Sequence, residues 1–164
     1  MILIGLGANL VSPEFGAPPD SLETALRLIA ERGPRIVARS RWYRSAPVPP
    51  SDQPWFVNGV VAVETVLAPA ALLEVLHAVE ARFGRVRRER NAARVLDLDL
   101  LAYDERVSAE GEVPILPHPR LHERAFVLRP LADIARDWRH PRLGRTAWAL
   151  IADLPPDVKA EPMC

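Results

Sequence analysis

The sequence has one cysteine, Cys164, and no apolar segment of membrane length. An intrachain disulfide and a cysteine-based metal site are therefore excluded, which is typical of proteins of the reducing cytoplasm, where we expect this chain to act. The apolar start of the chain, residues 1–10, lacks a basic flank and is far too short to span a bilayer. We therefore expect no membrane partner.

The chain also lacks net charge, since 21 basic residues balance 21 acidic ones. No overall field attracts nucleic acid, so any electrostatic function must be local. All basic residues except Lys159 are arginine. Forked guanidinium groups suit phosphate, but a compositional bias of the genome explains the excess as well, so only the position of each arginine carries information. Neither of the common glycine-rich phosphate loops is present.

A length of 164 residues predicts a single domain, which we place at residues 1–155 and follow with a tail at 156–164. Up to residue 103 the apolar periodicity predicts the order strand, helix, strand, strand, helix, strand. This is the ferredoxin-like βαββαβ pattern, an α+β fold with an antiparallel sheet, both helices on one face and the other face free for a ligand. Additional C-terminal elements follow, including helices near 125–135 and 146–152.

Three local patterns add detail. Asp20 and Glu23 have the spacing of a capping box that would start the first helix. Residues 35–43 are predicted to form one continuous strand. A later helix is predicted to start at Pro69 and to end at Gly84.

The most informative segment alternates leucine and aspartate over residues 96–100. In a strand, the leucines point into a core, while Asp97 and Asp99 share the opposite face. Two carboxylates on one face are costly to bury without cations. A surface strand edge would explain them simply, but they could also hold Mg²⁺ through one or two oxygens and leave the other positions to water and phosphate.

Arginines are concentrated just before this strand. Six arginines and one acid lie between Arg82 and Arg94, too many like charges for a packed helix, so a loop is predicted. Such a loop could surround a polyphosphate through charge-assisted hydrogen bonds, or it could be a solvated basic loop or an RNA-contacting patch.

Downstream, His118, His122 and Arg124 form a second polar group. The imidazoles could donate to phosphate, and their spacing of four also suits a helical zinc pair, although Pro117 and Pro119 argue against a helix there. Asn58 lies among valines in a predicted strand, where its amide must be satisfied by a heterocycle edge or by a neighbouring loop.

The chain resembles the 6-hydroxymethyl-7,8-dihydropterin pyrophosphokinase family of folate biosynthesis. The resemblance covers about residues 1–155 and is carried by segments in a fixed order: Gly7-Ala8-Asn9-Leu10, Tyr43-Arg44-Ser45-Ala46-Pro47, Asp52-Gln53-Pro54-Trp55-Phe56-Val57-Asn58, Glu80 with Gly84-Arg85, Arg94-Val95-Leu96-Asp97-Leu98-Asp99, Pro117-His118 and Arg124-Ala125-Phe126. It implies a ferredoxin-like sandwich that transfers the terminal diphosphate of ATP to the pterin hydroxymethyl group and releases AMP.

The resemblance also implies residue roles. Asp97 and Asp99 would hold two Mg²⁺ ions, and Arg85 and Arg94 would contact the phosphates and steady the transferred group. The rest of the ATP site would comprise Glu80, Arg87, Arg90, Leu100, His118 and Arg124. The pterin would be stacked and bonded by Phe56, Phe126 and Asn58, and its pocket completed by Ser45, Ala46, Val48 and Asn91. The family often has Trp-Gly-Pro where this chain has Asn91-Ala92-Ala93.

The partner expected from these residues is a reduced pterin, with no nucleic acid and with the chain acting as a monomer. Two other functions remain open from the residues alone. A ferredoxin-like RNA-binding module would use Trp55 and Phe56 for stacking, although Asp97 and Asp99 would repel a phosphate backbone. An ordinary kinase would transfer a single phosphoryl group and release ADP.

Overall fold

The computed structural model describes residues 1–84 and 95–163. Its regular elements are strands that form one sheet and helices that pack on it. The strands are β1 (Ile2–Ala8), β2 (Arg35–Arg39), β3 (Tyr43–Ser45), β4 (Phe56–Glu64), β5 (Asp97–Tyr103) and β6 (Glu161–Pro162). The helices are α1 (Pro18–Glu31), α2 (Pro69–Arg82), α3 (Ala125–Ala135) and α4 (Ala147–Ala152), with a 3₁₀ turn at Leu121–Glu123. Among the described residues no helix is long and apolar enough to cross a membrane.

The sheet has the order β5-β1-β4-β3-β6, and β2 pairs with β4 beyond the end of β3. All of these pairings are antiparallel. The predicted α+β class with an antiparallel sheet is therefore confirmed. Helix α2 also starts at Pro69, as predicted, and Gly84 follows its end with a positive φ of 76°, a conformation that glycine adopts without strain.

One face of the sheet is covered by α1 and α2. The alternating leucines of the aspartate segment, Leu96, Leu98 and Leu100, are buried there as predicted. They pack in one cluster with the apolar stripes of both helices: Leu22, Ala25, Leu26 and Ile29 from α1, and Leu72, Leu76 and Val79 from α2. Burial of this stripe removes apolar area from water and fixes which face of β5 points inward.

The opposite face is not left free along its whole length, so that expectation was wrong. Leu3, Val60 and Leu101 on this face are buried in a second cluster with Leu128 and Leu131 of α3. Helix α4 also contributes to the cluster. These strand residues are apolar, so this half of the face must be covered, and only the half that carries polar residues remains for a ligand.

The start of α1 also differs from the sequence prediction. The helix starts at Pro18, its N-cap is Ala17 without a side-chain cap, and Asp20 lies in the first turn. No capping box forms, because the prolines, whose fixed φ suits the first helical turn, start the helix before Asp20 and place that residue inside it. Glu23 instead accepts hydrogen bonds from Arg39 and Trp42.

The strand predicted over residues 35–43 is interrupted between β2 and β3. At the break, the hydroxyl of Ser40 accepts a hydrogen bond from the Val60 N–H, with Val60 N to Ser40 Oγ at 3.0 Å. The Trp42 ring lies against β4 at Gly59, where an added Cβ would be only 2.4 Å from the ring. The missing side chain of Gly59 therefore permits the close approach that redirects the chain into β3.

Helix α3 is tied to this break through Asp133. Its carboxylate accepts hydrogen bonds from the Tyr43 hydroxyl at 2.8 Å and from both Nε and Nη2 of Arg41. Burial acts to raise the pKa of the Asp133 carboxyl, but the hydrogen bonds from Arg41 and Tyr43 outweigh it and hold that pKa below its usual range. The ionised carboxylate therefore stabilises the contact between α3 and β3.

We expect Asp133→Ala to lower the free energy of unfolding by about 1–2 kcal/mol at neutral pH, after solvent screening of the exposed arginine is allowed for. Because the folded-state pKa is depressed, this contribution is complete above the ordinary pKa near 3.8 and is lost as the pH falls through the lower folded value. Urea denaturation of both proteins from pH 7 to pH 3 measures the effect. Asp137→Ala, an exposed acid just beyond α3, is the control.

Candidate active site

The two aspartates of β5 lie on the uncovered half of the second face. Asp97 and Asp99 are half-buried, while Leu98 between them points into the core on the other side. The neighbouring strand β1 places Gly7 opposite Asp97 and Gly5 opposite Asp99. The carboxylates therefore border a strip of sheet in which β1, at the two positions opposite them, contributes no side chain.

Arg124 and His118 approach these aspartates from the C-terminal part of the chain. The backbone N–H of His118 donates to the Leu101 carbonyl at 2.8 Å, which fixes the segment beside β5. Arg124 precedes the first residue of α3 and is half-buried. Burial lowers the pKa of Arg124, and the nearby carboxylates of Asp99 and Asp97 oppose that change. The structure thus brings together both predicted polar segments.

The His118 ring is neutral at physiological pH. Burial, followed by the positive charge of Arg124, lowers its pKa to about 4, and Asp97 only partly opposes this. The Nδ1 atom accepts a hydrogen bond from the Arg120 N–H at 3.1 Å. The remaining proton is therefore on Nε2, which makes that atom a donor toward an anion.

A second polar group lies across β1 from the aspartates. Asn58 of β4 is 5% exposed, and its Nδ2 donates to the hydroxyl of Ser45 on β3 at 2.8 Å. Gly7 of β1 is opposite both Asn58 and Asp97. Two strand spacings therefore separate the backbones of Asn58 and Asp97, about 10 Å.

Gly7 lets the amide of Asn58 lie close to β1. A Cβ added to Gly7 would be only 2.9 Å from Asn58 Oδ1. From the sequence, Gly7 was identified only as part of the family segment Gly7-Ala8-Asn9-Leu10 and was given no structural role. The signal was present, since two glycines alternate with the buried residues Ile4 and Leu6 and so fall on one strand face.

The loop that follows β3 is anchored at its far end. Asn9, buried at the end of β1, donates from Nδ2 to Gln53 Oε1 at 3.1 Å and to the Pro54 carbonyl at 3.0 Å. This contact gives a structural role to Asn9 and Gln53, which were identified from the sequence only as members of two family segments. The loop is therefore held against β1 at its end and joined to the sheet at its start through β3.

The remaining predicted pterin residues border the same region. Phe56 starts β4 opposite Ser45 and is half-buried. Ala46 and Val48 are exposed on the loop that leaves β3. Phe126, in the first turn of α3, is half-buried, and the Arg124 guanidinium lies over its ring at 5.3 Å from the centroid.

Glu80 and Leu100 are both buried on the helical side of β5. The Glu80 carboxylate, 2% exposed, accepts the backbone N–H of Leu98 at 2.9 Å, and Leu98 lies between the two aspartates. The Leu100 side chain packs in the core with α1 and α2. Their assignment to the ATP site stays a prediction, as do the other assigned roles. The remaining predicted residues, Arg85, Arg87, Arg90, Asn91 and Arg94, lie outside the described residues.

The donor set fits magnesium better than zinc. Asp97 and Asp99 offer hard carboxylate oxygens on one face, and Mg²⁺ takes only one or two such protein ligands beside water and phosphate. Zinc usually needs three or four protein ligands, and the described part of the chain has no cluster of three or more His, Cys, Asp or Glu side chains that could hold a metal. His122 instead contacts His140 edge to face, with ring centroids 6.0 Å apart.

A sequence model of the 7,8-dihydro-6-hydroxymethylpterin-pyrophosphokinase (HPPK) family matches residues 3–136. The chain belongs to the HPPK family. It is 44% identical over 156 residues to the 2-amino-4-hydroxy-6-hydroxymethyldihydropteridine pyrophosphokinase of Pseudomonas aeruginosa, with 94% of this chain and 91% of that protein covered. The Synechocystis protein of the same name is 41% identical over 150 residues, with coverages of 91% and 73%.

Solved structures of HPPK-DHPS proteins are similar in fold to this chain. The chain resembles an HPPK-DHPS crystallised with substrates, with a TM-score of 0.72 and 14% identity over 93% of this chain. Wild-type Plasmodium falciparum HPPK-DHPS with pteroate gives a TM-score of 0.71 at 15% identity over 93% of this chain. In both cases this chain spans 44% of the longer structure. At such identities the likeness concerns the fold alone.

The Glu80–Leu98 contact predicts that residue 80 must accept a hydrogen bond. Glu80→Gln retains an acceptor, whereas Glu80→Leu leaves the buried Leu98 N–H unsatisfied, so we expect the leucine variant to be less stable than the glutamine variant by about 1–3 kcal/mol. Urea denaturation and hydrogen exchange at the Leu98 amide measure this. Equal losses in the two variants would show that the negative charge, and not the acceptor, is required.

His118 should make stability depend on pH between its folded and unfolded pKa values. The unfolded ring protonates near pH 6.5 and the folded ring only near pH 4, so the free energy of unfolding falls as the pH drops through this window. We expect wild type to lose about 1–2 kcal/mol more than His118→Gln between pH 7 and pH 5. Urea titrations in EDTA-containing buffer test this. Parallel pH profiles for the two proteins would contradict the neutral assignment.

Proposed function

We propose that the chain transfers the terminal diphosphate of ATP to the hydroxymethyl group of 6-hydroxymethyl-7,8-dihydropterin, giving AMP and the pterin diphosphate in tetrahydrofolate biosynthesis. The observation that carries the proposal is the division of the uncovered half of one sheet face into two polar groups. Asp97, Asp99 and Arg124 lie on one side of β1, and the Asn58–Ser45 pair lies on the other. Membership of the HPPK family supports the same reaction.

The first group has the chemistry for a metal–nucleotide complex. Asp97 and Asp99 would hold two Mg²⁺ ions, which supply charge neutralisation for the phosphates and acidify the attacking hydroxyl when bound. Arg124 provides a permanent positive charge beside them, and the neutral His118 provides a donor at Nε2. Arg85 and Arg94 would add charge on the transferred group, and Arg87 and Arg90 would contact ATP with them.

The second group has the chemistry for a flat heterocycle. Asn58 presents an amide whose Nδ2 donor is already positioned by the Ser45 hydroxyl. Phe56, two residues before Asn58 on β4, is paired with the same Ser45. The pterin would stack on Phe56 and Phe126 and would also contact Ala46, Val48 and Asn91. Movement of the Arg124 guanidinium from the Phe126 ring toward phosphate would free that ring for stacking.

Diphosphate transfer of this kind depends on alignment and charge more than on covalent catalysis. The pterin hydroxyl must approach the β-phosphorus in line with the leaving AMP, and the chain supplies two fixed binding groups on one rigid sheet for this purpose. No general base is assigned. The arginine and histidine side chains stabilise charge on the moving group without transferring a proton themselves.

Four broader assignments belong to the same proposal. The core is ferredoxin-like, which the strand order β5-β1-β4 with β2 and β3 beside β4 supports. Residues 1–155 form the single catalytic domain, and the tail adds β6 to its sheet. The chain acts as a monomer in the cytoplasm. The sheet topology supports the ferredoxin-like core. The domain bounds, the monomeric state and the cytoplasmic location rest on the sequence.

One assay separates this function from the two alternatives. The purified chain is incubated with ATP, Mg²⁺ and the reduced pterin, and the nucleotide product is identified by chromatography. AMP formed in equal amount to pterin diphosphate supports diphosphate transfer, and ADP supports single phosphoryl transfer. No turnover together with tight, salt-dependent RNA binding would support the RNA-binding module.

Asp97→Ala and Asp99→Ala should each reduce AMP formation by at least about a thousandfold, because each removes a carboxylate needed to hold the metal–ATP complex. Both side chains are half-buried and outside the apolar clusters, so the fold should persist. Circular dichroism and thermal unfolding check this. Glu105→Ala, an exposed acid just beyond β5, is the control and should retain near-normal turnover. A folded aspartate variant with a near-normal rate would contradict the metal assignment.

A further inference from the structure

The C-terminal segment lies outside the part of the chain matched to the family, which ends at residue 136. Residues 159–163, here called the C-terminal strap, nevertheless return to the sheet. Glu161 and Pro162 form β6 and pair with Arg44 and Tyr43 of β3. The strap therefore adds a strand next to the element that carries Ser45.

Two further contacts hold the strap in place. The backbone N–H of Met163 donates to the Trp42 carbonyl at 2.8 Å, and the Met163 side chain packs against the apolar core below α1 and α2. Trp42 is itself fixed, because its ring lies against Gly59 and its Nε1 donates to Glu23 Oε1 at 3.2 Å. The strap is thus bonded to a rigid part of the core at the residue that precedes β3.

Apart from the hydrogen bond from the Tyr43 hydroxyl to Asp133 of α3, strand β3 has little other support. It is three residues long, and on its inner side it pairs only with Phe56, Val57 and Asn58 of β4. A strand this short is marginal when one of its edges is open to water. The strap covers that outer edge and so restrains both sides of β3.

The position of β3 matters for the site because Ser45 holds the Asn58 amide. The Asn58 Nδ2 to Ser45 Oγ hydrogen bond is 2.8 Å long, and both residues are almost completely buried. A shift of β3 would move Ser45 and thereby release the donor of Asn58. The loop with Ala46 and Val48 starts directly after Ser45, so it would move as well.

We infer that the C-terminal strap is a positioning element for the pterin side of the active site, acting through β3 and the Ser45–Asn58 hydrogen bond. This inference rests on the proposed function. Asp97 and Asp99 are on β5, and three strands, β1, β4 and β3, lie between β5 and β6. The strap should therefore affect the use of pterin and leave the use of ATP unchanged.

The test compares wild type, a variant that lacks residues 161–164, Met163→Ala, and Glu161→Ala as the matched control. The truncation removes β6 and both Met163 contacts, while Met163→Ala removes only the packing of the side chain. Glu161→Ala alters an exposed side chain and leaves the backbone pairing intact. Steady-state KM values for pterin and ATP, kcat, thermal unfolding and hydrogen exchange of the β3 amides are measured for each.

We expect the truncation to raise KM for pterin about tenfold, the effect of misplacing one good hydrogen-bond pair, with KM for ATP changed less than about twofold. Exchange should accelerate at residues 43–45, and Tm should fall by only about 2–6 °C. Met163→Ala should give a smaller change of the same kind, and Glu161→Ala none.

An unchanged KM for pterin in the truncated protein would overturn the inference, as would equal increases of both KM values accompanied by general unfolding. Failure of the proposed function is recognised separately, because wild type itself would then form no AMP. In that case the exchange data still report whether the strap restrains β3.

Discussion

The alternation of side chains along β5 is the constraint on which the site depends. Leu96, Leu98 and Leu100 must be buried under α1 and α2, so the residues between them are directed to the opposite face. A slip of one residue would expose three leucines and bury two carboxylates, which is prohibitive on both counts. Hydrophobic burial on one side of the sheet thus places the metal-binding chemistry on the other. Glu80 reinforces this placement by holding the Leu98 N–H between the aspartates.

The second face is then divided by polarity. Apolar residues at one end are covered by α3 and α4, and this packing carries Arg124 to the boundary beside Asp97 and Asp99. The same helix is tied to β3 through Asp133, so the element that supplies the positive charge is joined to the strand that supplies Ser45. The contacts that stabilise the fold therefore also position the site. A single sheet fixes the metal-binding group relative to the Asn58–Ser45 group.

Sequence reasoning succeeded where one local signal dominated. The burial pattern of β5, the bounds of α3 and the start of α2 at Pro69 all followed from periodicity or from proline. It failed where two signals competed: Asp20 and Glu23 suggested a cap, but Pro18 and Pro19 start the helix two residues earlier, so Asp20 lies inside the first turn and is not the N-cap. The break before β3 was missed because it depends on Trp42 meeting Gly59 of a distant strand. The structural role of the strap was missed for the same reason.

The sequence by itself determined the types of residue available and the face of its own strand to which each side chain points, because these follow from local periodicity and chemistry. It also determined the family, through motifs kept in order. Only the tertiary structure decided which segments meet. Strand pairing places Gly7 between Asp97 and Asn58. Burial beside Arg124 lowers the pKa of His118, so its ring is neutral. Such properties depend on distances between residues far apart in the chain, which strand pairing and helix packing alone determine.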